Sequence, residues 1–116
     1  MNANTWADDV NCAITVCDAT GIIIYMNDRA KELYASRGNL IGRNLFDCHP
    51  EAAANKIREM LASGESNSYT ITKNGRRKVI YQTPWRRPDG TVGGMVEISM
   101  IVPDQMPHYN RDSNND

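Results

Sequence analysis

The chain has 116 residues, 41% hydrophobic and 23% charged, which suits one domain with an ordinary core and is too short for two. Its formal net charge of −1 argues against a general nucleic-acid binder, which needs a basic surface. The longest unbroken apolar run, Ile22 to Met26, is far too short to span a bilayer. The opening MNANTWADDV lacks the basic and apolar regions of a signal peptide. The expectation is a soluble, cytoplasmic protein with no direct nucleic-acid or membrane partner.

Residues 1–10 are polar, with Trp6 and Val10 spaced for one helical face, and predict an N-terminal cap or short helix. In 13-AITVCDATGIIIYMND-28, two β-branched runs flank Asp18-Ala19-Thr20-Gly21, the pattern of a hairpin. Asn27 or Asp28 can cap a helix over 28–36, with Ala30, Leu33 and Tyr34 on one side, ending near Gly38. The irregular stretch 39–47 follows, with Leu40, Ile41, Leu45 and Phe46 expected to face inward. Residues 50–63 predict the clearest helix, with Ala53, Ile57, Met60 and Leu61 as its apolar stripe. Gly64 closes it as a left-handed cap.

Three strands follow, 67–72, 77–85 and 91–102, separated by turns at Asn74-Gly75 and Pro88-Asp89-Gly90. In the last strand Val96, Ile98, Met100 and Val102 share one face, and Met95, Glu97, Ser99 and Ile101 the other. Residues 103–116 have two prolines and no apolar period, and read as a mobile tail or linker. The plan is α+β: one antiparallel five-stranded sheet over 11–102 with helices on one face.

Cys12, Cys17 and Cys48 form no C-x-x-C pair, and their odd number argues against a disulfide framework. Arg76-Arg77-Lys78 and Arg86-Arg87 would lie at opposite ends of one strand, roughly 30 Å apart at ~3.3 Å per residue. Asp47-Cys48-His49 is the densest chemical group. Pro50 favours a helix start, with His49 as N-cap and Pro50 in the first turn. A thiol near a helix N-terminus can also be activated, which makes Cys48 a candidate redox residue and His49 a candidate cofactor ligand. Consecutive side chains seldom converge on one ion, so no metal site is assigned. Nucleophilic catalysis would further need an oxyanion hole, and the chain is not read as an enzyme.

Three segments, 18-DATGIIIYMN-27, 40-LIGRNLFD-47 and 89-DGTVGGMVEIS-99, together resemble the PAS domain family. The resemblance implies strand order 2-1-5-4-3 and a pocket between the sheet and the central helices. It also implies a sensory and interaction module in signal transduction, with a small ligand or a protein partner such as a kinase or a transcription regulator. The expected pocket wall is Ile14, Val16, Ile24, Leu33, Leu45, Phe46, Ile57, Arg58, Leu61, Tyr81, Val96, Ile98 and Met100. A homodimer is expected through Trp6, Val10, Met95 and Ile101.

Flavin photosensing relatives carry Gly-Arg-Asn-Cys, but here Gly42-Arg43-Asn44 runs into Leu45, and Cys48 comes three positions too late. Haem-binding relatives take an axial histidine from the longest helix, and 51–63 has none, leaving His49 as the residue that could reach. An exchangeable organic ligand, or none, therefore leads, with a haem or thiol-redox sensor using His49 or Cys48 as the alternative.

Overall fold

The computed structural model describes residues 5–112, apart from the side chain of Cys48. The chain begins with a short helix α1 (Trp6–Asp9), and β1 (Ala13–Asp18) and β2 (Ile23–Met26) form the predicted hairpin. Its turn is built by Asp18, whose Oδ1 accepts from Thr20 N, Thr20 Oγ1 and Ile22 N at 2.8–3.0 Å. Gly21 supplies the positive φ of 90° that the turn requires.

Asn27 follows β2 and is 1% exposed. Its Oδ1 accepts from Ile14 N at 2.9 Å and from Ala30 N at 3.1 Å, and so caps α2 (Asp28–Leu33). Its Nδ2 donates to the carbonyls of Ala7 and Cys12 at 2.9 and 2.8 Å. One buried amide thus ties α1, β1 and α2 together. The helix predicted over 28–36 is shorter, because Tyr34 leaves helical geometry and Ala35–Arg37 form a separate tight turn.

Residues 42–45 run beside β2, with Gly42 N donating to Ile23 O, Ile23 N to Arg43 O and Leu45 N to Gly21 O. Leu40 and Leu45 are buried there as expected, whereas Ile41 is exposed. Phe46 packs its ring on Gly21, where a Cβ would come within 2.7 Å of the ring. α3 (Glu51–Ser63) starts one residue later than predicted. Pro50 itself is the N-cap, with ψ 155°, and its carbonyl accepts from Ala54 N. His49 therefore lies outside the helix. The buried face is Ala54, Ile57 and Met60, with Ala53 and Leu61 at its margins. Gly64 closes the helix in the left-handed conformation.

β3 (Asn67–Lys73), β4 (Arg76–Arg86) and β5 (Val92–Ile101) complete an antiparallel sheet of order β2-β1-β5-β4-β3. Asn74 and Gly75 both take positive φ, as a two-residue hairpin turn needs. Trp85 reaches across β5 and donates Nε1–H to the Cys17 carbonyl at 3.0 Å. Gly93 and Gly94 make room for it, since a Cβ on either would collide with the indole. Residues 103–112 form no helix or strand. No helix among the described residues is long and apolar enough to cross a membrane.

The register assigns the two faces. Residues directly opposite in an antiparallel pair share a face. Ala13, Thr15 and Cys17 stand opposite Ser99, Glu97 and Met95. Ala13, Cys17 and Met95 join Ala30, Ile57 and Met60 in one core cluster. The helices thus cover the face carrying Met95 and Glu97. Ile14, Val16, Val96, Ile98, Tyr81 and Met100 lie on the other face, away from the helices. This reverses the expected polarity of the sheet.

Asn27→Ala would leave two buried N–H groups and two carbonyls without partners, and should cost at least about 2 kcal/mol in urea unfolding. Asn27→Asp should cost no less at neutral pH, because it sets a carboxylate against the Ala7 and Cys12 carbonyls. A second prediction concerns pH. The Tyr25 hydroxyl donates to Asp8 Oδ1, and this bond, with the Thr5 backbone N–H, holds the Asp8 carboxyl below its ordinary 3.8. A lowered folded pKa stabilises in full above the unfolded value and is lost as pH falls through the folded one. Amide protection in residues 6–9, taken relative to the intrinsic exchange rate at each pH, should therefore hold at pH 5 and fall below 3.8. In Tyr25→Phe that pH dependence should largely vanish.

Candidate functional site

The helix-facing side of the sheet carries a polar row. Thr15 on β1 stands opposite Glu97 on β5, Glu97 opposite Gln82 on β4, and Gln82 opposite Asn67 on β3. Asn67 Nδ2 donates to Gln82 Oε1 at 3.0 Å, and Gln82 Nε2 donates to Glu97 Oε1 at 2.8 Å. Gln82 is 3% exposed and Thr15 9%. Burying such groups is costly unless they are hydrogen-bonded, and the amide chain supplies those bonds.

Above this row lies a small cavity of about 60 Å³, lined by Thr15, Ile23, Met26, Tyr34, Arg37, Leu40, Leu45, His49 and Glu97. The loop between α2 and α3 closes it through Leu40 and Leu45. His49 Nδ1 lies 2.9 Å from the Leu45 carbonyl. A carbonyl can only accept, so Nδ1 carries the hydrogen and Nε2 of the neutral ring is an acceptor. A cleft of about 80 Å³ adjoins the cavity, sharing Thr15, Tyr34 and Glu97 with it. The site therefore combines a carboxylate, an imidazole and a guanidinium with an aliphatic wall, and can recognise a small molecule bearing both hydrogen-bond donors and acceptors.

Of the predicted wall, Leu45 lines the cavity and Leu33 the adjoining cleft. Ile57 and Leu61 pack in the core without lining the cavity. Ile14, Val16, Tyr81, Val96, Ile98 and Met100 are on the opposite face. Ile24 is 46% exposed, because a bulge opposite Val16 and Cys17 breaks the alternation of β2 and turns Ile23 and Met26 inward. Phe46 stacks on Gly21, and Arg58 lies over the Phe46 ring at 4.3 Å instead of entering the cavity.

The predicted dimer surface is split. Trp6 and Ile101 are exposed, Val10 is half-buried, and Met95 is 2% exposed in the core. His49 does line the cavity, while the side chain of Cys48 lies outside the described residues. Burial raises the pKa of the Cys17 thiol, as do Asp18 and Glu97, which leaves it a poor nucleophile. Burial and then Glu97 also raise Tyr69, on the same face. Among the described residues no group of three or more His, Cys, Asp or Glu is placed to hold a metal ion.

Thr15, Gln82, Asn67 and Arg37 were not singled out in the sequence. The available signal was the polar interruption of otherwise apolar strands, Thr15 between Ile14 and Val16 and Glu97 between Val96 and Ile98.

A family model described as PAS fold matches residues 7–102. The search of curated proteins returned no match. Among solved structures, the PAS domain of histidine kinase ThkA is 23% identical, with 77% of this chain and 97% of that one covered and a TM-score of 0.63. VqmA bound to DPO is 22% identical over 84% of this chain and 54% of its own, with a TM-score of 0.64. The Aer2 receptor from Vibrio cholerae, described as a dual PAS-heme oxygen sensor, is 17% identical over 79% of this chain and 95% of its own, with a TM-score of 0.58. The match to the family model over most of the chain, with the strand order seen here, makes this protein a member of the PAS fold family.

Proposed function

We propose that the chain is a sensory module that takes a small polar ligand between sheet and helices, and passes the change to a partner as a homodimer. The observation that carries this reading is the row Thr15-Glu97-Gln82-Asn67 on the core-facing side of the sheet. A domain that needed this face for stability alone would be better served by apolar residues. Glu97 would accept from a donor on the ligand, as would His49 Nε2, and Arg37 would donate to an acceptor. The likeness to a structure described as VqmA bound to DPO supports the reading.

Size constrains the ligand. About 60 Å³ is roughly the liquid volume of two waters at ~30 Å³ each. Ligand pockets usually run ~300–1,000 Å³, so a larger molecule requires Tyr34, Leu40 or His49 to swing aside. Haem through His49 is the second reading. The lining position of His49 and the likeness to a PAS-heme sensor favour it, and the cavity volume weighs against it. The partner would be a kinase or a transcription regulator, and the description of one neighbour as the PAS domain of a histidine kinase supports the first.

The transmitting surface would be the outer sheet face. Ile14, Val16, Val79, Tyr81, Val96 and Ile98 give it an apolar centre, and Tyr81 and Met100 are 41% and 43% exposed. Apolar patches of this kind mark association surfaces. Trp6 on α1, 79% exposed, would extend it.

Freshly purified protein should be colourless and carry a reproducible excess mass in native mass spectrometry. Glu97→Gln, which keeps the shape and removes the charge, should lose that mass or weaken binding at least about tenfold, near 1.4 kcal/mol. A Soret band would replace this reading with the haem one. Light scattering at tens of micromolar should show a dimer for the native chain and a monomer for Ile98→Asp. A native chain that stays monomeric would rule out the homodimer.

A further inference from the structure

The helical layer stops short of the end of the sheet where β3 turns into β4. β3 is exposed along nearly all its length. On its helix-facing side Ile71 is 36% exposed, and Leu33 at the end of α2 is 38% exposed. Ile71 stands opposite Lys78, and Lys73 opposite Arg76, so three cations belong to the same face and end. The ion pairs formed among the described residues are Arg29–Glu32 and Lys56–Glu59. Lys73, Arg76 and Lys78 take part in neither.

Leu33, Arg76 and Lys78 line an open groove of about 700 Å³ together with Ala13, Ile101 and the Arg29–Glu32 pair, while Ile71 and Lys73 line the 80 Å³ cleft behind it. The groove shares Ala13, Leu33, Lys78 and Ser99 with the 80 Å³ cleft, which in turn shares Thr15, Tyr34 and Glu97 with the inner cavity. Groove, cleft and cavity thus follow one another from solvent to Glu97.

We propose that this groove and the cleft behind it are the entrance and anchoring site for a small amphiphilic anion. Lys73, Arg76 and Lys78 hold its carboxylate or phosphate head, and Leu33, Ile71 and Ile80 hold its apolar body. The inference rests on the reading that a ligand enters between sheet and helices, and adds its charge and orientation. Unpaired cations beside apolar walls attract an anion more strongly than they would in open water. Glu97, deeper in, repels the head and keeps it at the mouth. The body then lies along Leu33, Ile71 and Ile80 in the cleft, and a hydrogen-bond donor at its far end would meet Glu97.

The test is a two-dimensional amide NMR titration of the full chain with octanoate, octyl phosphate and octanol. Both anions should shift the amides of Leu33, Lys78 and Ser99, and octanol should bind at least tenfold more weakly. The tighter anion identifies the head group. In the Lys73→Gln/Lys78→Gln double variant, at exposed and half-buried positions of an edge hairpin, anion binding should fall at least tenfold while octanol is unchanged. Equal binding of octanol and the anions, with shifts at Thr15 and Glu97, would overturn the anion site and leave the ligand cavity standing. No shift with any of the three, at mouth or cavity, would overturn the inference and count against the cavity as well.

Discussion

The Asn27 side chain is the constraint on which the rest of the domain depends. It has two acceptor and two donor positions, and all four are used, on Ile14, Ala30, Ala7 and Cys12. No other polar side chain of similar size could do this. Aspartate lacks the donors, and leucine lacks both. The amide fixes where β1 starts, where α2 starts and where α1 rests. With those three points set, the hairpin can lie beside β5, and α2 can close over Ala13 and Thr15.

The sheet that results has an unusual division of labour. Its covered face holds Thr15, Gln82, Glu97 and Ser99 among Ala13, Cys17, Ile80 and Met95. Its open face is apolar along β1 and β5, with Ile14, Val16, Val96, Ile98 and Met100, and turns polar at β3, where Ser68, Thr70 and Thr72 lie. Asn67, Gln82 and Glu97 are joined by hydrogen bonds from strand to strand, in a setting where an unpaired partner is expensive. The polar row within, and the apolar stretches of β1 and β5 without, are the features on which the proposed sensory role draws.

Local chemistry made much of the fold legible. Asp18 and Gly21 announced the first turn, Asn74-Gly75 the second, and Gly64 the end of α3, because each acts through its own backbone and its near neighbours. The basic clusters were correctly placed at the two ends of β4. Strand alternation correctly separated Val96, Ile98 and Met100 from Met95, Glu97 and Ser99. It could not say which set the helices would cover, and hydrophobicity, the usual guide, pointed the wrong way. For the same reason much of the expected pocket wall fell on the outer face, and the polar row belongs to the set that looked solvent-facing.

What the sequence determined by itself, then, was the order of elements, their turns and the family to which their motifs belong, all properties of short segments. Only the tertiary structure decided which sheet face is inside, that a bulge turns Ile23 and Met26 inward in place of Ile24, and that Arg58 rests on Phe46. It alone brought His49, Arg37 and Glu97 around one cavity. These outcomes depend on contacts between residues far apart in the chain. Such contacts are set by how helices and strands pack, which no local period encodes.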